Sequence, residues 1–410
     1  MDVLPTPRYI TPFGRAVEPD AFPPGSAMEM LWGAGKQILS LTIEQGQSRT
    51  SLKAFEPDPD KHFPSGVLED GSRIEICVLE EYLCNAFAGQ TDGDFVVGVY
   101  SGFPAVLSEL AGWIWADRNL LPQFGDISRL TSADNGAASA YPPGLCSLLA
   151  IANGEFERAV EDGRTRGARD EISRLHASLC PVRRAAMANT LYSAFRCLWF
   201  HEMGHVLLGH VDAIADRFNL SAMFEAPKDN VVASAVSQYL EVQADSVAFD
   251  IVVNSAFHRF EDAFARGVAD VPQPAEEAQT PLTPRQVVIS SVLGCILVPL
   301  VLRAQEMIKG HGKPEVAGTH PPLSVRRDLL LAAIAQAFRG SERANLIETA
   351  GSAFRALFYM HPAFYEWFHV MRSGQEIDTE KYLGDLEQAY AASGGLRLEP
   401  RRHPSRSRRS

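Results

Sequence analysis

The chain has 410 residues, 46% hydrophobic and 21% charged, which is the composition of an ordinary soluble protein able to bury a large core. Its net charge of -12 argues against general nucleic-acid binding by the body of the protein. Its six cysteines contain no CxxC pair, so they predict reduced core thiols and neither a disulfide framework nor a zinc knuckle. The first residues lack the basic and apolar blocks of a signal peptide, and we expect a cytoplasmic protein.

The N-terminal part of the chain is rich in proline and has little hydrophobic periodicity. Residues 1–70 are therefore predicted to be an irregular proline-rich leader. Beyond them, segments 74–79 and 95–100 are short and apolar, as strands are, and segment 103–116 has the apolar spacing of a helix. Residues 71–143 are accordingly predicted to form a small α+β region.

The rest of the chain is predicted to be almost entirely helical, with a helical domain over residues 144–395. The expected helices cover residues 182–217, 231–264, 286–309, 324–339, 344–358 and 379–392. The predicted fold class is thus mainly α with a small α+β N-terminal region. Residues 396–410 hold six arginines among serines and prolines, which predicts a disordered basic tail. Two interpretations of this tail stay open: a solvated terminus, or a segment that binds an anionic partner.

Segment 286–302 is the one stretch that raises the question of a membrane span, because it is uncharged and mostly apolar. Its length is at the lower limit for crossing a bilayer, and Ser290, Ser291 and Pro299 are poorly suited to lipid. A span would also separate two parts of the candidate site described below. We therefore interpret the segment as a buried core helix.

The most informative motif is His-Glu-Met-Gly-His at residues 201–205, inside a predicted helix. Residues four apart share one face of a helix, so His201 and His205 can bind the same metal ion. Glu202 lies where a carboxylate can act on a water molecule bound to that ion. Because five residues can match by chance, the interpretation depends on what surrounds the motif.

A catalytic zinc site needs a third protein ligand, and the next predicted helix offers one. Glu241 and Asp245 are four residues apart and so share a helix face. Glu241 can bind the ion, and Asp245 can accept the outer N–H of a ligand histidine and fix the orientation of the ring. The alternative is that both acids line a solvated face, but the apolar residues after Asp245 favour the ligand interpretation.

HExxH followed by a helix with the pattern E-x-x-A-D resembles the gluzincin peptidases of the CAAX prenyl protease and HtpX group. The downstream segment 319–326, Thr-His-Pro-Pro-Leu-Ser-Val-Arg, is similar to the His-Pro-Pro-Leu segment of that group, which carries an arginine six residues after the histidine. The resemblance covers roughly residues 185–330. This chain departs from the membrane members in lacking their multiple spans, and a soluble relative of the phage-exclusion Lit type is the narrower comparison.

The resemblance implies a zincin-like helical metallopeptidase core with the activity of a zinc-dependent endopeptidase on a protein or peptide substrate. One Zn²⁺ would be held by His201, His205 and Glu241. Glu202 would act as general base on the metal-activated water, and His320 and Arg326 would stabilise the oxyanion. The rival function is a non-catalytic zinc-binding interaction or regulatory protein on a peptidase-like fold.

His210 is the remaining histidine close to the motif. It lies five residues beyond His205, which is a poor offset for the same helix face. We therefore predict that it is exposed or lies at a helix end.

Overall fold

The computed structural model describes residues 9–11, 14–17, 24–39, 52–54, 65–68, 72–80, 84–91, 93–118, 121–128, 130, 176–218, 231–271, 281–309, 320–338, 340–359 and 377–392. Within these residues the protein is mainly helical and has a small N-terminal sheet, which confirms the predicted fold class at this level. The basic tail at 396–410 and the boundary near residue 143 lie outside the described residues.

The sheet is built around one central strand. Its strands are β1 (Tyr9–Thr11), β2 (Gly14–Ala16), β3 (Leu52–Ala54), β4 (Ser65–Leu68), β5 (Arg73–Leu79), β6 (Ala86–Thr91) and β7 (Asp94–Tyr100). Strand β5 pairs in parallel with β7, and along its other edge it pairs antiparallel with β2 and β4. Strand β6 pairs antiparallel with β7 in a hairpin. The two predicted strands are β5 and β7, so both predictions are confirmed.

The helices account for most of the described chain. They are α1 (Ala27–Leu39), α2 (Gly102–Ala116), α3 (Pro181–Leu207), α4 (His210–Phe218), α5 (Val231–His258), α6 (Glu261–Ala265), α7 (Pro284–Lys309), α8 (Leu323–Ala337), α9 (Gly340–Tyr359) and α10 (Thr379–Ala392). The predicted helix 231–264 ends earlier, at His258. The predicted helix 182–217 is interrupted at Gly209, which has a φ of 75° that a helix cannot continue through and that glycine adopts readily.

The expected irregular leader contains regular structure. Strands β1 to β4 and helix α1 all lie within residues 1–70, so the prediction is wrong for these parts. Helix α1 packs against α3, where Trp199 Nε1 donates a hydrogen bond to the Leu31 carbonyl at 2.9 Å. The apolar residues Met28, Leu31 and Trp32 have helical spacing, a signal that the surrounding prolines obscured.

Helix α3 lies at the centre of the molecule and packs against α1, α2, α5 and α7. One continuous hydrophobic core joins the sheet to these helices. The stretch Pro284–Leu302 of α7 is long and apolar enough to cross a membrane, and 89% of it is buried inside the protein. This burial fits the interpretation of α7 as a core helix.

Helices α3 and α7 are joined by a buried polar seam. Asn189 Nδ2 donates to the hydroxyls of Ser290 at 2.8 Å and Ser291 at 3.0 Å, and the Thr190 hydroxyl donates to the Ser290 carbonyl at 3.1 Å. At Gly294 the two backbones touch, because a Cβ there would lie 2.8 Å from the Ala194 amide nitrogen and still closer to a neighbouring carbonyl. The seam fixes how α3 is rotated and therefore which way its histidines face.

We expect Gly294→Ala to destabilise the protein by about 1–3 kcal/mol, because the added methyl must push one backbone away from another. Gly384→Ala in α10 is the matched control, since a Cβ there meets nothing within 4 Å. That change should stabilise α10 by up to about 1 kcal/mol through helix propensity. Urea unfolding of the two variants measures the difference, and equal stabilities would contradict the close approach of α3 and α7.

Candidate metal centre

Three potential metal ligands converge between helices α3 and α5. His201 and His205 come from α3 and Glu241 from α5, and one ligand atom of each lies within 4.8 Å of the other two. His201 Nε2 is 3.2 Å from His205 Nε2 and 3.1 Å from Glu241 Oε2, and His205 Nε2 is 3.5 Å from Glu241 Oε1. All three side chains are buried. The structure thus brings together the three residues that the sequence predicts as ligands, in a group that can hold a metal ion.

The two helices approach closely because small residues face each other at their crossing. A Cβ added to Gly204 would lie 3.3 Å from Ala244 Cα, tighter than an ordinary van der Waals contact. Gly204 lies between the two histidines of the motif, and Ala244 lies between the two acids of α5. The close crossing therefore brings the ligand-bearing faces of both helices within bonding distance of one ion.

The arrangement of donor atoms suits a cation better than a hydrogen-bonded network. Glu241 Oε2 is buried and makes no well-aligned hydrogen bond, although it lies 3.1 Å from His201 Nε2. Short distances with poor hydrogen-bond alignment are expected when the lone pairs of the histidine nitrogens and the carboxylate oxygen all point toward one common centre. Two imidazole nitrogens and one carboxylate oxygen form a donor set that zinc binds well. The residues present therefore fit a zinc ion.

Asp245 contacts His201 on the side of the ring that faces away from the three candidate ligand atoms. His201 Nδ1 lies 2.9 Å from Asp245 Oδ1, so the ring donates its outer N–H to this carboxylate and turns Nε2 toward the centre. Arg326 from α8 donates two hydrogen bonds to the same carboxylate, one from Nη2 to Oδ1 at 2.9 Å and one from Nε to Oδ2. Burial tends to raise the pKa of Asp245, but Arg326 and His201 outweigh it and hold that pKa below its usual value.

The two carboxylates beside His201 favour a positive charge on its ring. Burial tends to lower the pKa of His201, but its hydrogen bond to Asp245 and the negative charges of Asp245 and Glu241 outweigh burial and raise that pKa to about 10. Burial likewise tends to raise the pKa of Glu241, yet His320, His205 and His201 hold it well below its usual value. The carboxylates of Asp245 and Glu241, which stabilise a positive charge on His201, would stabilise a metal cation in the same way.

Glu202 is buried beside the candidate ligands His201 and Glu241, with 7% of its surface exposed. Burial raises the pKa of this carboxyl, the positive charge of His201 opposes that rise and the negative charge of Glu241 adds to it, and the resulting pKa is about 7. A group whose pKa lies near neutrality can both take up and release a proton, which is what a general base and acid must do.

The remaining two predicted site residues lie at the edge of the cluster. His320 Nε2 is 3.7 Å from Glu241 Oε2, and its side chain is 26% exposed. Arg326 Nη2 is 3.8 Å from the same oxygen, but the guanidinium is buried and bonded to Asp245. Arg326 is therefore placed to position Asp245. The role in binding the oxyanion stays a prediction for both residues.

His210 is not exposed, contrary to one of the two alternatives predicted from its spacing. It begins helix α4, as the other alternative has it, but its side chain is fully buried and its Nδ1 lies 3.0 Å from His205 Nδ1. The five-residue offset misled because Gly209 ends α3 and starts a new helix, so the two histidines are not on one regular helix. Gln243, which contacts His210, was also not foreseen.

Neither protein-family models, curated proteins nor solved structures match this chain. The gluzincin resemblance accordingly stays a prediction, carried by the motifs that the sequence contains. The buried cluster of His201, His205 and Glu241 is the structural finding on which a function can be based.

Zinc should stabilise the folded protein, because the three ligands come together only when α3 and α5 are packed. At a free zinc concentration 100 times the dissociation constant, the free energy of unfolding should rise by about 2.7 kcal/mol. Thermal unfolding with and without zinc measures this increase. His205→Ala should remove the zinc-dependent shift whatever its own starting stability, and a shift that persists would place the ion elsewhere.

Arg326→Leu should destabilise the metal-free protein by about 3–5 kcal/mol, because it removes the guanidinium that pairs with the buried carboxylate of Asp245. Arg327→Leu is the matched control: Arg327 is adjacent, its side chain is 39% exposed and its partner is Asp328. The control should cost no more than about 1 kcal/mol. Denaturant unfolding in the presence of a chelator compares the two, and equal losses would contradict the buried pair.

Proposed function

We propose that this protein is a zinc-dependent endopeptidase of the gluzincin type that hydrolyses peptide bonds of a protein or peptide substrate. The observation that carries the proposal is a buried His-His-Glu cluster with a general-base candidate, Glu202, on the same helix as the two histidines. A zincin-like core and a cytoplasmic location are part of the same proposal.

The proposed chemistry is hydrolysis by an activated water molecule. His201, His205 and Glu241 would hold the zinc ion, which would supply a water molecule of lowered pKa and polarisation of the scissile carbonyl. Glu202 takes a proton from the attacking water molecule while the water oxygen forms a bond to the carbonyl carbon. The same carboxyl then delivers that proton to the amine nitrogen as the carbon–nitrogen bond breaks.

His320 is the proposed stabiliser of the oxyanion. Its partial exposure at the edge of the cluster leaves it accessible to a substrate, and its Nε2 lies near the ligand Glu241. A hydrogen bond from a donor already held beside the carbonyl oxygen becomes stronger as negative charge develops on that oxygen. Arg326 contributes mainly by holding Asp245, which in turn holds His201.

The rival function, a non-catalytic zinc-binding protein, predicts a different set of ligands. Structural zinc sites are closed by four protein ligands, whereas catalytic sites use three and leave one position for water or substrate. The cluster found among the described residues has three. A buried carboxyl with a pKa raised to about 7 is also typical of sites that transfer protons. Both points favour the peptidase.

Glu202→Gln should keep one zinc ion per chain and lose peptide hydrolysis by about 100-fold or more, because the amide cannot accept the proton of water. Zinc content is measured by elemental analysis. Cleavage is measured by mass spectrometry of new termini after incubation with a complex mixture of proteome-derived peptides, so that the substrate need not be chosen in advance.

Glu261→Gln is the control for this experiment, because Glu261 is an exposed acid at the start of α6. It should retain both zinc and cleavage. Termini that appear equally with wild type and Glu202→Gln would refute the mechanism. Zinc without any cleavage by the wild type would favour the non-catalytic rival.

A further inference from the structure

We infer that His210 and Gln243 are positioning residues that fix the tautomer of His205 and so prepare it to bind the metal. The inference rests on the proposed metal centre and deepens it by assigning residues outside the HExxH and Glu ligand set. It concerns a two-step hydrogen-bond relay from Gln243 through His210 to His205, all of it between helices α3, α4 and α5.

The relay begins at the nitrogen of His205 that faces away from the centre. His205 Nε2 points toward the other two ligands, at 3.2 Å from His201 Nε2 and 3.5 Å from Glu241 Oε1. Its other ring nitrogen, Nδ1, lies 3.0 Å from His210 Nδ1. On the far side of the second ring, His210 Nε2 lies 2.9 Å from Gln243 Oε1.

Only one placement of protons satisfies this chain of contacts and also leaves a ligand nitrogen free. The amide oxygen of Gln243 can only accept, so His210 carries its proton on Nε2. His210 Nδ1 is then a lone pair, and it accepts from a proton on His205 Nδ1. This leaves Nε2 of His205 unprotonated and directed at the metal. The reverse placement would protonate Nε2 of His205 and block binding.

The two ligand histidines are thus held by different means. His201 donates to an anionic carboxylate, Asp245, whose charge is balanced by Arg326. His205 donates to a neutral imidazole, which adds no charge to a centre that already contains the carboxylates of Glu202, Glu241 and Asp245. A second charged partner behind His205 would have needed another buried arginine. The neutral relay orients the ring without that requirement.

Zinc affinity of the full-length protein tests the relay. His210→Phe removes the acceptor but keeps a ring, and Gln243→Met removes the amide oxygen but keeps an unbranched chain. Each should weaken zinc binding, by about 10–100-fold for His210→Phe and less for Gln243→Met, because outer partners of metal ligands typically contribute this much.

The dissociation constants are measured by competition with a chromogenic chelator, with circular dichroism as the check on folding. If His210→Phe does not fold, the comparison of Gln243→Met with the wild type still decides the question. Equal affinity in wild type, His210→Phe and Gln243→Met would overturn the relay. Failure of the wild type to bind zinc would instead overturn the proposed function on which the relay rests.

Nitrogen-15 NMR of histidine-labelled, zinc-loaded protein gives a direct reading of the tautomers. We expect His205 to be protonated at Nδ1 and His210 at Nε2. Each signal is assigned by comparing the wild-type spectrum with that of a variant that lacks the histidine in question. A purely structural role for His210 would not determine which nitrogen carries the proton. A proton on Nδ1 of His210 would overturn the inference.

Discussion

The candidate site depends on the close crossing of helices α3 and α5. Each helix supplies an i,i+4 pair of polar side chains, and neither pair alone can enclose an ion. The contact of Gly204 with Ala244 lets the two pairs meet, since a larger side chain at either position would hold the helices apart. The crossing also requires α3 to keep a fixed orientation. The polar seam with α7 fixes the rotation of α3, and the hydrogen bond from Trp199 holds α3 against α1.

The crossing also concentrates charge that a core would normally exclude. The carboxylates of Glu202, Glu241 and Asp245 are buried together, and the guanidinium of Arg326 lies among them. Burying such groups costs free energy that their mutual attraction only partly returns. A cation at the centre is the simplest way to compensate the remaining negative charge. The pKa of His201, which Asp245 and Glu241 raise to about 10, also shows that these carboxylates favour a positive charge at this position.

Local spacing predicted the ligands, while tertiary contacts decided their partners. The four-residue intervals of His201 and His205 and of Glu241 and Asp245 were sufficient to expect a shared metal, because helix geometry fixes which residues face together. The same reasoning failed where the helix stopped. Gly209 redirects the chain and returns His210 to the site, and no periodicity can show this. That Arg326 meets Asp245 follows from how α8 packs against α5. Helix α1 was missed because prolines on either side outweighed its short apolar pattern.

The positions of the ligands along the chain have a thermodynamic consequence. His201 and His205 are neighbours on one helix, but Glu241 lies 36 positions after His205 and joins them only in the packed tertiary structure. An isolated α3 would offer two donors, and the third belongs to a long-range contact formed in folding. Metal binding at this centre would therefore be coupled to the cooperative packing of the helices. Metal content would then report whether this part of the chain is correctly folded, and a substitution far from the candidate ligands that loosens the crossing would be detected first as a loss of bound metal.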